Sequence, residues 1–117
     1  MKTNNLIQEL TFSFSLQVIK LYKKLMDDKE YVLSKQLLRS ATSIGANVEE
    51  GIAAQSRKDF ISKMSIAAKE ARETKYWLRL LQDGELVSID VRTHLASVQQ
   101  ILNILTKIVL TSKQTGA

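Results

Sequence analysis

The absence of proline from all 117 residues, together with the presence of only four glycines, is the strongest constraint on the fold. Proline kinks or ends the interior of a helix, so a chain without it can form long, uninterrupted helices. Hydrophobic residues make up 44% of the chain and aromatic residues only 6%. The sequence therefore predicts an all-α protein with long helices and short turns.

Helical periodicity of the apolar residues predicts four helices. They cover approximately residues 4–26, 29–53, 57–83 and 89–113. In the last two helices the apolar positions alternate at steps of four and three, which is the heptad pattern of a bundle. Short connections between helices of this length specify an up-down-up-down antiparallel four-helix bundle, with residues 1–117 as a single domain.

Local signals predict where individual helices begin and end. Ser56 and Asp59 form a capping box before helix three, and Gly84 after it can adopt the left-handed conformation that closes a helix. Helix four is expected to begin after Ser88, with Asp90 in its first turn. The final residues, 111–117, are expected to fray.

Two of the predicted helices carry more apolar surface than one bundle requires. On helix one the extra stripe is Phe12, Leu16, Ile19 and Met26, and on helix four it is Ile101, Ile104 and Ile108. Helix three adds Ile66, Trp77 and Leu80 outside its main stripe. These residues either widen the core of a single subunit or are covered by another copy. We expect self-association through a symmetric interface.

The segment SATSIGANVEEG, residues 40–51, places many weak helix formers in helix two. Ser40, Ser43 and Asn47 share one narrow strip of this helix, where small side chains allow another helix to approach closely. Their polar groups can hydrogen-bond one another or a neighbouring chain. Arg39 and Glu50 lie on the outer side of the strip, where they either pair with a neighbouring helix or subunit or are solvated. The sequence thus predicts a helix-packing or oligomer interface at these five residues.

A basic stripe follows one side of helix three. Its members project into an arc of about 120° and extend for about 30 Å along the axis. They are Arg57, Lys58, Lys69, Arg72, Lys75 and Arg79. Such a stripe can meet several phosphates of RNA or DNA, and Tyr76 in the same arc can stack on a base. A solvated helix face and a binding surface for an acidic protein partner are the two alternatives.

The charge balance agrees with an anionic partner. The formal net charge is +5, and residues 56–117 hold ten basic against six acidic residues, whereas residues 1–55 hold seven against six. The excess of positive charge therefore lies in the half of the chain that contains the basic stripe.

Residues for catalysis or metal binding are scarce. The chain has no cysteine and only one histidine, His94, so neither a histidine pair for a metal nor a base beside a nucleophile is evident. The four glycines are too scattered for a phosphate-binding loop. We expect no catalytic residues, no metal and no cofactor. An enzyme using Glu70, Glu73 or His94 is a third hypothesis that requires these side chains to meet in one pocket.

Cellular location is predicted from the same composition. The first twenty residues contain Gln8, Glu9 and Gln17 among the apolar positions, which is unlike a signal peptide or a membrane span. Because the chain also lacks cysteine, we expect a soluble cytoplasmic protein without a membrane partner.

Residues 37–81 resemble a known family, the four-helix bundle proteins encoded in intervening sequences of bacterial 23S rRNA genes. The matching motifs are LRSATSIGAN at residues 38–47, Glu50-Gly51, Ser56-x-x-Asp59-Phe60, Ser65-Ile66-Ala67 and Ala71-x-Glu73-Thr74. The resemblance implies a small antiparallel bundle that assembles into a homopentameric ring and has no enzymatic activity. A related branch serves as the accessory protein of diversity-generating retroelements, where a basic pentamer associates with a reverse transcriptase and nucleic acid.

Overall fold

The computed structural model describes the backbone of residues 2–115 and the side chains of residues 4–114. Within that range the protein is all-α, and its helices are α1 (Lys2–Asp27), α2 (Leu33–Ile52), α3 (Arg57–Asp83) and α4 (Arg92–Thr115). Among the described residues, contacts link only helices that are neighbours around the bundle, and the α1–α4 contact is the least extensive of the four. The body measures 49 × 21 × 21 Å, as expected for helices lying side by side.

Neighbouring helices run in opposite directions. Gln8, near the start of α1, donates a 2.8 Å hydrogen bond to the Glu49 carboxylate near the end of α2. Arg57, at the start of α3, lies 3.4 Å from the Ser112 carbonyl oxygen near the end of α4. Pairing of start with end follows from the short connections, which return each helix along the one before it.

The core is one cluster to which every helix contributes. On α3 it follows the heptad stripe expected from the sequence, because Met64, Ala67, Ala71, Thr74, Leu78 and Leu81 are all buried. The largest buried side chains of α1 include Phe14, Leu21 and Leu25. Each large apolar side chain removed from water contributes about 1.5–3 kcal/mol. This burial fixes the faces of α2 and α3 on which the candidate functional residues stand.

The extra apolar stripe of α1 lies on the outside of the subunit. Phe12, Leu16 and Ile19 are 66%, 47% and 37% exposed, whereas Met26 is half-buried. Ile66 of α3 is also exposed, at 38%, but its Trp77 and Leu80 are half-buried.

The corresponding expectation for α4 is wrong. Ile101 and Ile108 are buried and Ile104 is half-buried, so the second stripe of this helix belongs to the core. The reason is that α4 packs against both α3 and α1, so apolar side chains over a wide arc of this helix are buried. A helix in contact with two partners needs a wide apolar arc.

The capping box before α3 is confirmed on the serine side, because the Ser56 hydroxyl accepts a 3.1 Å hydrogen bond from the Asp59 backbone N–H. The expected left-handed glycine after α3 is wrong. Gly84 has a φ of −79°, and the left-handed residue is Glu85, with a φ of 53°. Glycine is required at position 84 for another reason: a Cβ there would lie 2.6 Å from the Leu80 carbonyl oxygen.

Carboxylates rather than the expected residues mark the starts of α2 and α4. Glu30 accepts a 2.6 Å hydrogen bond from the Ser34 backbone N–H, so α2 begins at Leu33 and not near residue 29. Asp90 accepts from the Arg92 backbone N–H at 3.0 Å, so α4 begins three residues later than expected from Ser88. α4 continues to Thr115, two residues beyond the expected end at residue 113; residues 116 and 117 lie outside the described part of the chain.

Candidate nucleic-acid interface

The basic stripe lies on the side of α3 that is turned away from α2. Lys58, Lys69, Arg72 and Arg79 are exposed. Of the other two members, Arg57 is exposed and Lys75 is half-buried. Both side chains contact α4. Because one helix carries all six residues and the core fixes its rotation, the structure brings them to one surface, which we call the basic surface.

Contacts with α4 hold the two edge members of the basic surface in place. The Lys75 ammonium donates a 2.7 Å hydrogen bond to the Gln99 side-chain oxygen, and Arg57 donates to the Ser112 carbonyl at 3.4 Å. Both contacts place a cation of α3 at its boundary with α4. The surface therefore continues from α3 towards α4.

Two acidic side chains of α3 are directed to the flank that faces α2. Glu70 and Glu73 both pair with Arg39 of α2; the distance from Arg39 to Glu70 is 3.4 Å. Lys63, also on that flank, pairs with Glu50 of α2 at 3.1 Å. Opposite charges thus pair between α2 and α3, whereas the residues of the basic surface lie away from α2.

A seventh cation, Lys113, was missed in the sequence. Together with Arg57, Lys58, Ile61 and Ser112 it lines an open groove of about 480 Å³ between the start of α3 and the end of α4. Lys113 was not included in the basic stripe because residues 111–117 were expected to fray. The available signal was the helical periodicity of α4, which continues without a breaker as far as Thr115. Lys113 extends the basic surface onto a second helix.

Tyr76 stands within the basic surface and is 54% exposed. Its ring packs edge-on against Trp77, with 5.4 Å between ring centroids and 64° between ring planes. The Trp77 indole N–H in turn donates a 3.0 Å hydrogen bond to the Glu73 carboxylate. The exposed tyrosine is therefore connected to the ion pair between α3 and Arg39.

The residues predicted for helix packing or an oligomer interface lie at or beside the α2–α3 contact within one subunit. Ser40 is fully buried, and its hydroxyl is 2.8 Å from the hydroxyl of Thr74 on α3. The same two hydroxyls lie within hydrogen-bonding distance of carbonyl oxygens in their own helices, at Leu37 and Glu70. These bonds satisfy polar groups that would otherwise be costly to bury.

Ser43 and Asn47 are half-buried on the same strip, where the Asn47 amide donates to the Ser43 carbonyl at 2.8 Å and to its hydroxyl at 3.1 Å. Arg39 and Glu50 flank the strip and form ion pairs with α3. Small side chains therefore let α2 and α3 approach closely, and the polar groups satisfy one another. This accounts for Ser40, Ser43 and Asn47 among the weak helix formers of residues 40–51, whereas Gly45 lies against Thr11 and Ser15 of α1.

The residues of the enzyme hypothesis do not meet in one pocket. Glu70 and Glu73 are bound to Arg39 at the α2–α3 contact, whereas His94 lies on α4 near the Gln17 backbone of α1. Burial lowers the pKa of His94 below its ordinary 6.5, and the charge of Lys24 acts in the same direction. Within residues 2–115 no three His, Cys, Asp or Glu side chains converge to hold a metal ion, and no helix is long and apolar enough to cross a bilayer.

Comparisons with known proteins agree with the fold. A crystal structure of a protein with unknown function from the S23 ribosomal protein family of Bacteroides thetaiotaomicron superimposes with a TM-score of 0.87. It is 42% identical and the alignment covers 92% of this chain and 97% of the other. No match is found among curated proteins. The model of the 23S rRNA-intervening sequence protein family matches residues 3–107, and the chain therefore belongs to that family.

Proposed function

We propose that this protein is a non-enzymatic, homo-oligomeric scaffold that binds RNA or DNA through its basic surface. The observation that carries the proposal is the row of exposed cations on α3, from Lys58 to Arg79, which Lys113 extends onto α4. Phosphates are regularly spaced along a nucleic-acid backbone, so a row of cations can contact several of them without reading sequence.

The distribution of acidic residues supports this assignment. Glu70 and Glu73 are both held by Arg39 on the α2 side of the helix, away from the cations on the α4 side. A merely solvated helix face would not require such segregation. A polyanion approaching from the α4 side meets several exposed cations, which favours association.

Self-association is supported by the exposed stripe of α1. Phe12, Leu16 and Ile19 form an apolar strip on a helix that already contributes a full face to the core. A second copy would remove this strip from water. The resemblance to the family makes five the expected ring size. A ring would join the basic surfaces of its subunits into one belt, to which a nucleic-acid enzyme such as a reverse transcriptase could bring its template.

The proposal is tested by titrating fluorescently labelled RNA and DNA of about 20 nucleotides with the protein at low and high salt. We expect binding at 50 mM salt that weakens steeply as salt rises, because each phosphate contact releases counterions. The variant Arg72→Glu with Lys75→Glu should fold normally and lose this binding. For single strands, each lost contact should reduce the salt slope by about 0.7.

A matched control is Lys20→Glu with Lys35→Glu, exposed lysines on α1 and α2. Each double variant lowers the formal net charge by the same amount, from +5 to +1, since each substitution changes it by two. The control should bind as the wild type does. Equal losses in both variants would mean that net charge alone is responsible. Absence of wild-type binding at low salt would refute the proposal and favour an acidic protein as the partner.

A further inference from the structure

We infer that Tyr76 is a stacking site for an unpaired base, so that the basic surface selects single-stranded over double-stranded nucleic acid. This inference rests on the proposed function and adds to it the class of nucleic acid. It depends on three observations: the exposure of Tyr76, the anchoring of its ring, and the placement of cations on both sides of it.

Tyr76 offers an aromatic surface that the fold does not use. It is 54% exposed, whereas Trp77 beside it is half-buried. Every base has a π-face, so an aromatic side chain in a basic groove binds bases with little regard to sequence. The ring is the one exposed aromatic group on α3 among the described residues.

The Tyr76 ring is supported on one side by a chain of contacts. Trp77 packs edge-on against it at 5.4 Å, and the Trp77 indole donates to Glu73, which is paired with Arg39 of α2. Tyr76 therefore packs against Trp77, whose hydrogen bond to Glu73 connects it to both α3 and α2. Less freedom is lost when a base stacks on an anchored ring than on a mobile one.

Cations flank Tyr76 on the helix surface. Arg72 and Arg79 stand four residues before and three residues after it, the spacings at which helical side chains are neighbours. At 1.5 Å per residue they lie about 6 Å and about 4.5 Å from it along the axis. A base stacked on Tyr76 would thus bring its two adjacent phosphates towards one arginine each, and Lys69 would meet the next.

A duplex cannot use this site in the same way. Its bases are paired and stacked inside the helix, and an enzyme that needs one must first expel it at an energetic cost. Duplex DNA or RNA would therefore meet only the cations of the basic surface. Removal of the tyrosine ring should weaken binding of single strands and leave binding of duplexes unchanged.

The test compares wild type, Tyr76→Ala, Tyr76→Leu and Tyr76→Phe with labelled 12-nucleotide oligo(dT), oligo(U) and a 12-base-pair duplex. We expect Tyr76→Ala to weaken binding of both single strands by about 5- to 150-fold, the usual loss per stacked base. Tyr76→Leu keeps apolar cover over Trp77 but lacks a π-face, so it should show a similar loss. Tyr76→Phe should bind as the wild type does.

The sole tryptophan of the chain gives a second readout. Because Trp77 touches Tyr76, stacking of oligo(dT) there should change the Trp77 emission, and the duplex should leave it unchanged. Wild-type affinity in both the alanine and the leucine variants, or equal losses for single strands and duplex, would overturn the inference. If the wild type binds none of the three probes at low salt, the proposed function fails as well.

Discussion

Replacing Phe12 and Leu16 by glutamine tests whether the exposed stripe of α1 is an interface between subunits. These two side chains are 66% and 47% exposed in the single subunit, so substitution there should leave the core intact. Fully burying a side chain of this size contributes about 1.5–3 kcal/mol. Scaled by the exposed fractions, Phe12 adds about 1–2 kcal/mol to an interface that covers it, and Leu16 adds about 1 kcal/mol.

The loss of about 2–3 kcal/mol per interface corresponds to a weakening of about 30- to 150-fold. In a closed ring every interface loses this amount, so the variant should dissociate at concentrations where the wild type remains assembled. The assay is light scattering coupled to gel filtration. A subunit has a mass of 13.2 kDa, and a pentamer would have a mass of about 66 kDa, five times that value.

A matched control replaces Val32 and Leu86, which are 71% and 60% exposed in the connections between helices, by glutamine. This variant removes a similar amount of exposed apolar surface but should keep the mass of the wild type. The reasoning would be refuted by a wild-type mass of 13.2 kDa at 100 μM, or by an unchanged mass for the α1 variant.

Two further predictions concern stability. Ser40→Leu should destabilise the bundle by about 2–4 kcal/mol, because the larger side chain overfills the fully buried α2–α3 contact and removes the hydrogen-bond partner of Thr74. Urea unfolding followed by circular dichroism measures this loss, and an unchanged unfolding midpoint would contradict the prediction. His94 favours its neutral form in the folded state because burial lowers its pKa. Its contribution to stability should be complete above pH 6.5 and decline as the pH falls below that value. Unfolding midpoints at pH 8 and pH 5 should therefore differ less for His94→Gln than for the wild type; equal differences would contradict this.

Asp90 does not interfere with the histidine measurement. Hydrogen bonds from Arg92 hold the pKa of Asp90 at about 2, well below the pH range in which His94 changes charge. His94 Nδ1 is buried and has no hydrogen-bond partner among the described residues, so protonation there would create an unsatisfied N–H group. A loss of stability below pH 6.5 that is absent from His94→Gln can thus be assigned to the imidazole.

Features that depend on neighbouring residues in the chain could be predicted from the sequence. The heptad stripe of α3 and its cap at Ser56 are of this kind, because helical periodicity and a serine before an apolar run are local signals. The same is true of the basic surface, since all six predicted residues belong to one helix and keep their relative directions when it forms.

Features that depend on which helices meet could not be predicted in this way. The burial of Ile101 and Ile108 is decided by the contact of α4 with α1, about which the periodicity of α4 alone says nothing. Arg39 pairs with Glu70 and Glu73, which lie 31 and 34 residues further along the chain. After α3 the left-handed residue is Glu85 and not the neighbouring Gly84. Gly84 instead lies where the Leu80 carbonyl oxygen leaves no room for a Cβ, which is a contact that the local sequence does not reveal.

The unequal contacts between helices have a consequence for how the chain folds. Each helix packs most extensively on its neighbours in sequence, with α2 and α3 sharing the largest contact, and only the limited α1–α4 contact joins the two ends of the chain. Local pairing of this kind requires little loop-closure entropy and favours rapid folding. The central α2–α3 hairpin can therefore form first, with the outer helices added in turn and the bundle closed last along the α1–α4 contact.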